Sequence, residues 1–315
     1  MQSERFTTTK NIVVLALDDR MVYGFHVLAH SLVATARSEI FIVVGHLSGK
    51  LSPKNREYVE KALSWCGIDH EIVEYQPHEL FTERRHLTAT TFLKFVISDE
   101  LPRAHLWLDI DTIVTPGWDT IFDEIRDAPD TTGIVVAKKI DSPHTRFEGF
   151  NAGVLGWTAN PRQPWLATLA SLPEKRFSSE QHLFNILYTG RTSAIAANYN
   201  FLSSWHEQFR AEEPPKIVHY SGPLKPWHLH RVHASSWRSI NPTWQLWFSA
   251  EERLLADIKH SPLARETARA ARKALFSGRA NLGKGSAASW LLKIFAILGP
   301  VGSPIGRMLA RRTRT

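Results

Sequence analysis

Disulfide stapling is the first thing this chain lacks the means for. It has one cysteine, Cys66, so a packed core rather than a cross-linked framework must hold it together. Long apolar runs are missing too: nothing approaches the ~20 consecutive apolar residues a membrane-spanning helix needs. Met1 to Lys10 shows no apolar leader segment, which makes a cytoplasmic location the expectation. No internal repeat or low-complexity stretch is visible, so solenoids and fibres are set aside.

Aromatic bulk is present instead. Eleven tryptophans and sixteen phenylalanines supply ample apolar surface for a core. The 315 residues equal about two average domains, although α/β enzymes often fill such a length as one unit. The net charge of +7 suggests nucleic-acid binding until it is located along the chain. From Arg253 to Thr315, 13 Lys and Arg face two acids, Asp257 and Glu266. The preceding 252 residues carry the other 25 basic and 29 acidic groups. An acidic body with a basic tail predicts a catalytic domain over residues 1–250 and an electrostatic appendage over 251–315. No nucleic-acid partner is expected, since the tail carries no recognisable binding motif.

Residues 11 to 250 alternate between strand and helix patterns. Asn11 to Leu17, Ile40 to Val44, Ile72 to Tyr75 and His105 to Leu108 read as buried strands. Val22 to Arg37, Pro53 to Cys66 (with Ser52 as N-cap) and Thr91 to Asp99 read as helices. The fold class is therefore α/β, with a mainly parallel central sheet flanked by helices and a helical basic tail. Ligands of such sheets sit beyond the carboxyl ends of the strands. Two acidic clusters fall there: Asp18-Asp19 and Asp109-Ile110-Asp111. In the tail, Trp290 to Leu298 is a short apolar run broken by Lys293 and followed by Arg307, Arg311, Arg312 and Arg314. It suits either an anionic membrane surface or packing on the body.

Asp109 and Asp111, two apart at a strand end, are expected on one side because strand side chains alternate. Paired hard oxygens suit a divalent cation that also holds phosphate. Later stands Ile217-Val218-His219-Tyr220-Ser221-Gly222-Pro223-Leu224-Lys225-Pro226-Trp227. It offers an imidazole ligand, a glycine permitting close backbone approach, and a lysine point charge. A lone histidine more often fills a core; this one has company.

With these motifs in order, residues 11 to 230 resemble the family 8 glycosyltransferases, which include bacterial lipopolysaccharide galactosyl- and glucosyltransferases and glycogenin. The resemblance implies a GT-A fold and retaining transfer of a hexose from a UDP-sugar donor to a saccharide or glycolipid acceptor. It implies that Asp109, Asp111 and His219 hold manganese, with magnesium the alternative. Gly222 and Lys225 match the diphosphate contacts, and Ala16 and Asp18 the nucleotide-reading segment, with Ile110 between the two acids. His86 and Lys94 keep the spacing of a donor-site histidine and basic residue, with lysine where arginine is usual. Phe150-Asn151-Ala152-Gly153 matches the segment in which Asn151 and Ala152 face the donor sugar. Glu180 and Gln181 match the acidic–glutamine pair beside the anomeric carbon, with Glu180 where aspartate is usual. A glutamine is a poor nucleophile, so attack from the leaving-group side is favoured. Departures at Arg20, Lys94 and Glu180 motivate a rival reading, a catalytically weak nucleotide-sugar-binding protein of the same fold. The tail would make the enzyme peripheral on the cytoplasmic face of a membrane.

Overall fold

The computed structural model describes residues 8–79, 81, 89–101, 103–141, 149–159, 165, 171, 179–222, 224–229 and 238–281. A central sheet carries strands β1 (Asn11–Ala16), β2 (Ile40–Leu47), β3 (Asp69–Tyr75), β4 (His105–Leu108), β6 (Ile134–Ala137), β7 (Val154–Trp157) and β8 (Thr192–Ile195), in the order β3-β2-β1-β4-β7-β6-β8. β3, β2, β1 and β4 are parallel, and β7 runs against both β4 and β6. β1 and β4 are neighbours, with Val13 opposite Leu106, so their carboxyl ends share one edge. A second sheet joins β5 (Thr112–Val114), β10 (Ile217–His219) and β9 (Phe201–Leu202).

Helix α1 (Val22–Thr35) buries twelve of its fourteen residues because it is covered on both sides. The sheet lies beneath it, and α2 (Pro53–Trp65), α6 (Trp244–Asp257) and α7 (Ala264–Asn281) surround it. Tyr23 donates to Glu251 at 2.5 Å, His26 meets the Tyr58 hydroxyl at 2.7 Å, and His30 meets Asp257 at 2.9 Å. The opposite face holds α3 (Leu93–Glu100) and α5 (Glu180–Leu187), joined where Phe95 stacks on Phe184 at 3.9 Å. Short α4 (Ile121–Arg126) follows β5 and packs near β7.

The expected elements are found with shifted limits. β3 starts at Asp69, earlier than its apolar run, because an edge strand tolerates the polar residues Asp69 to Glu71. The third helix opens as a 3₁₀ turn over Ala89–Phe92 before α3 proper. Ser52 does precede α2, but its hydroxyl donates to Asp19 at 3.0 Å instead of capping the helix. The division expected at residue 250 falls inside α6, with Glu251 and Leu254 buried. Ile258, Leu263, Thr267 and Ala274 continue that buried stripe, so this part of the basic segment packs on the body while Arg265, Arg269, Arg272 and Lys273 stay exposed. Trp290 to Leu298 lies outside the described residues. Among the described residues, no helix is long and apolar enough to cross a membrane.

Candidate active site

Beyond Leu108 the chain leaves the central sheet in a tight turn and enters the small one. The Asp109 N–H donates to the Gly153 carbonyl at 2.8 Å, and the Thr112 N–H to the Asp109 carbonyl at 3.2 Å. Asp109 and Asp111 therefore share a side through a turn, not through the strand alternation expected from sequence. Ile110 between them is a buried apolar anchor. The small sheet brings in the third group: β10 runs antiparallel to β5 with His219 opposite Thr112, and the Tyr220 N–H donates to the Asp111 carbonyl at 2.7 Å. His219 Nε2 then stands 3.3 Å from Asp111 Oδ1 and 4.0 Å from Asp109 Oδ2. One ligand atom from each of the three residues lies within 4.8 Å of the others. Two carboxylates and an imidazole nitrogen make a donor set suited to a divalent cation.

The imidazole is held from behind. Its Nδ1 lies 3.0 Å from Asn151 Oδ1 and 3.2 Å from Asn200 Oδ1. Beneath it is Gly153, where an added Cβ would fall 2.1 Å from the ring, so only glycine fits. Asn151 in turn donates to Gln181 Oε1 at 3.0 Å, and the Ala152 N–H reaches the same oxygen at 3.3 Å. Gln181 and Glu180 begin α5, which Ser179 caps by accepting from the His182 N–H.

Two lysines balance the acids. Lys225 forms an ion pair with Asp111 and donates to the Tyr220 carbonyl at 3.0 Å. Burial would push the Asp111 carboxyl up, but the Lys225 ammonium and His219 outweigh it and hold Asp111 well below the ordinary carboxylate range. The Lys225 N–H donates to Nδ1 of His228, a ring whose burial and proximity to Lys225 push its pKa down to about 4. Gly222 adopts φ +104°, a conformation that favours glycine, with open space where a Cβ would stand. Trp227 of the same motif packs against α1 at Gly24, where a Cβ would lie 2.8 Å from the indole.

Lys94, which the resemblance matches to a donor phosphate or sugar contact, has a wholly buried side chain. Its ammonium lies 3.0 Å from Asp109 and 3.6 Å from Glu180, and donates to the Ala152 carbonyl at 2.9 Å. Burial disfavours the charge, yet Asp109 and Glu180 raise the pKa above the ordinary lysine value. Lys94 thereby ties Asp109 and Glu180 to the Ala152 carbonyl.

At the end of β1, past Ala16, Asp18 is buried and accepts from the Arg20 N–H at 2.9 Å and its guanidinium at 2.7 Å. Asp19 points elsewhere, accepting from the Ser52 N–H at 2.8 Å and Asn55 at 2.7 Å. Burial raises the Asp19 pKa, but those hydrogen bonds bring it below the ordinary value. His86 lies outside the described residues. Sequence reading missed Asn200 and Trp107, whose indole donates to Asp109 at 2.8 Å. Trp107 lies only two residues before Asp109, where strand alternation could have pointed to it, whereas Asn200 is 49 positions from Asn151 and belongs to no local pattern.

The mainly parallel sheet, with an acid–acid–imidazole cluster at its carboxyl edge, has the GT-A fold. The chain belongs to glycosyl transferase family 8, whose model matches residues 12–230. It is similar to glycosyltransferase GlyB of Streptococcus pneumoniae serotype 4, 25% identical over 186 residues, covering 51% of this chain and 44% of that protein. Glycosyltransferase GlyF of the same organism is 26% identical over 199 residues, covering 58% and 48%. The chain thus spans about half the length of the curated relatives it matches. Among solved structures, the galactosyltransferase LgtC, crystallised with donor and acceptor sugar analogues, superposes with TM-score 0.55 at 21% identity, covering 69% of this chain and 89% of that one. Apo GlyE of Streptococcus pneumoniae TIGR4 gives TM-score 0.58 at 19% identity, covering 81% and 64%. Those two likenesses concern the fold.

Proposed function

We propose that this protein is a metal-dependent, retaining hexosyltransferase that moves glucose or galactose from a UDP-sugar to a saccharide or glycolipid acceptor. The observation that carries the reading is the convergence of Asp109, Asp111 and His219 beside Lys225 at the carboxyl edge of the sheet. Those three residues would hold manganese or magnesium, which offsets the charge growing on the departing diphosphate. Lys225 and the backbone at Gly222 bind the same diphosphate, Lys225 turning from Asp111 toward it. Asp18 and the Ala16 backbone hold the nucleoside, and Asn151 and Ala152 line the sugar.

Gln181 Oε1 already accepts from two donors, and Glu180 is buried with one oxygen 3.6 Å from the Lys94 ammonium. This supports same-face displacement. The acceptor oxygen bonds to the anomeric carbon as its bond to UDP breaks, and the acceptor proton passes to the departing phosphate oxygen. Incubating the protein with UDP-glucose or UDP-galactose, manganese and a saccharide panel tests the reading. Transfer that survives EDTA undiminished, or proceeds with inversion, defeats it.

One observation favours the rival reading of a weak nucleotide-sugar binder: Arg20 covers the Asp18 carboxylate. Binding of UDP-sugar with neither transfer nor hydrolysis would establish it. The tail is proposed to hold the enzyme on the anionic cytoplasmic face of a membrane, supported by the basic residues Lys284, Lys293, Arg307, Arg311, Arg312 and Arg314 and the apolar run Trp290 to Leu298, all of which follow α7 in the sequence. Each such residue near an anionic surface contributes about 1 kcal/mol before screening. Removing residues 282–315 should abolish salt-sensitive sedimentation with anionic vesicles and leave turnover on a soluble acceptor intact. A truncated protein that sediments as before would refute the tail's role.

A further inference from the structure

We propose that Asn200 is a positioning residue for His219, fixing which ring nitrogen carries the proton so that Nε2 faces Asp109 and Asp111 as an electron-pair donor. The inference rests on the metal reading of the site. It begins with a donor whose identity is unambiguous. The Gly153 backbone N–H lies 3.0 Å from one amide atom of Asn151, so that atom must be the oxygen, Oδ1. The other end of the amide donates to Gln181 Oε1, which also accepts the Ala152 N–H. Asn151 is thereby locked with its oxygen toward His219.

Asn200 is locked next. Its Nδ2 donates to Asn151 Oδ1 at 3.0 Å and to the Asn151 carbonyl at 3.2 Å. With the nitrogen committed there, Oδ1 of Asn200 turns to His219 Nδ1 at 3.2 Å. The ring nitrogen therefore faces two oxygens, and it must donate to them. With a proton fixed at Nδ1, Nε2, the atom 3.3 Å from Asp111, is the nitrogen left to give its electron pair to a cation. Hydrogen bonds of this kind fix the tautomer of metal-ligating histidines and raise their basicity. Asn200 is 2% exposed, and its place follows from the fold: it directly precedes β9, whose Leu202 pairs with His219.

The test compares full-length wild type, Asn200→Ala, His219→Ala and the double variant by calorimetric titration with manganese. Asn200→Ala should weaken manganese binding about tenfold, the lower end of such outer-sphere losses. In the His219→Ala background the same substitution should have no further effect. Proton NMR of the metal-free protein supplies a second readout, with the His219 Nδ1–H exchanging faster with solvent in Asn200→Ala. Asn200→Asp keeps an oxygen at Nδ1 while losing the bonds to Asn151, and should restore slow exchange. The proposal is overturned if Asn200→Ala binds manganese as wild type does, if its loss persists without His219, or if Asn200→Asp exchanges as fast as Asn200→Ala. Wild type that binds no manganese would defeat the metal reading instead, and the ring proton alone would then decide the role of Asn200.

Discussion

The ends of β1 and β4 each carry a pair of acids, and the fold uses them in opposite ways. Asp18 and Asp19 diverge: one is sealed by Arg20, while the other accepts three hydrogen bonds from Ser52 and Asn55 at the start of α2. Asp109 and Asp111 converge on His219 because their turn joins two sheets, and β10 closes against it. A carboxylate pair at a strand end is therefore only a supply of charge. Whether it becomes a site depends on what distant segments bring to it.

The sharpest break of the contrast is at the convergent pair. Asp111→Ala should remove manganese-dependent UDP binding and lower transfer by orders of magnitude, with an unchanged circular dichroism spectrum. Near-normal transfer in EDTA would show that the pair does not serve a metal. Gly153→Ala attacks the same cluster without touching an acid. Its methyl would force the His219 ring aside, and about a hundredfold loss of manganese affinity is expected. Retention of wild-type affinity would mean that the ring has room to shift.

The divergent pair should respond differently at its two members. Asp19→Ala removes an acceptor for three donors, which predicts about 1–2 kcal/mol less stability and a Tm lower by several degrees. The KM for UDP-sugar should hardly move; a large rise would place Asp19 in the site. Arg20→Ala should uncover Asp18 and tighten UDP binding severalfold, as read by titration. Weaker binding instead would make Arg20 a nucleotide contact.

The smallest effect at neutral pH belongs to the core behind both pairs. Burial and neighbouring His30 push His26 down to about 3 from an ordinary 6.5. The unfolded chain then binds more protons than the folded one between those values, so stability should fall as pH drops below about 6.5. His228, pushed down to about 4, acts in the same direction. Tm measured against pH should decline more gently in His26→Phe; an identical slope would clear His26 of the effect.

The sequence alone determined the fold class, the strand ends that carry acids, and the late motif from His219 to Trp227. These follow from apolar runs, alternation and turn residues, all set within a few residues of chain. The departures at Arg20 and Lys94 were legible too, but not their meaning. That Lys94 lies buried under Asp109, that Arg20 closes on Asp18, and that Asn200 stands behind His219 depended on packing and strand register. Lys94 and Glu180 meet across 86 positions of chain, and Asp111 and Lys225 across 114, because separate elements are folded together. No local pattern encodes such distances; only the closed sheet edge, with β10 seated on β5, decides which side chains share a volume.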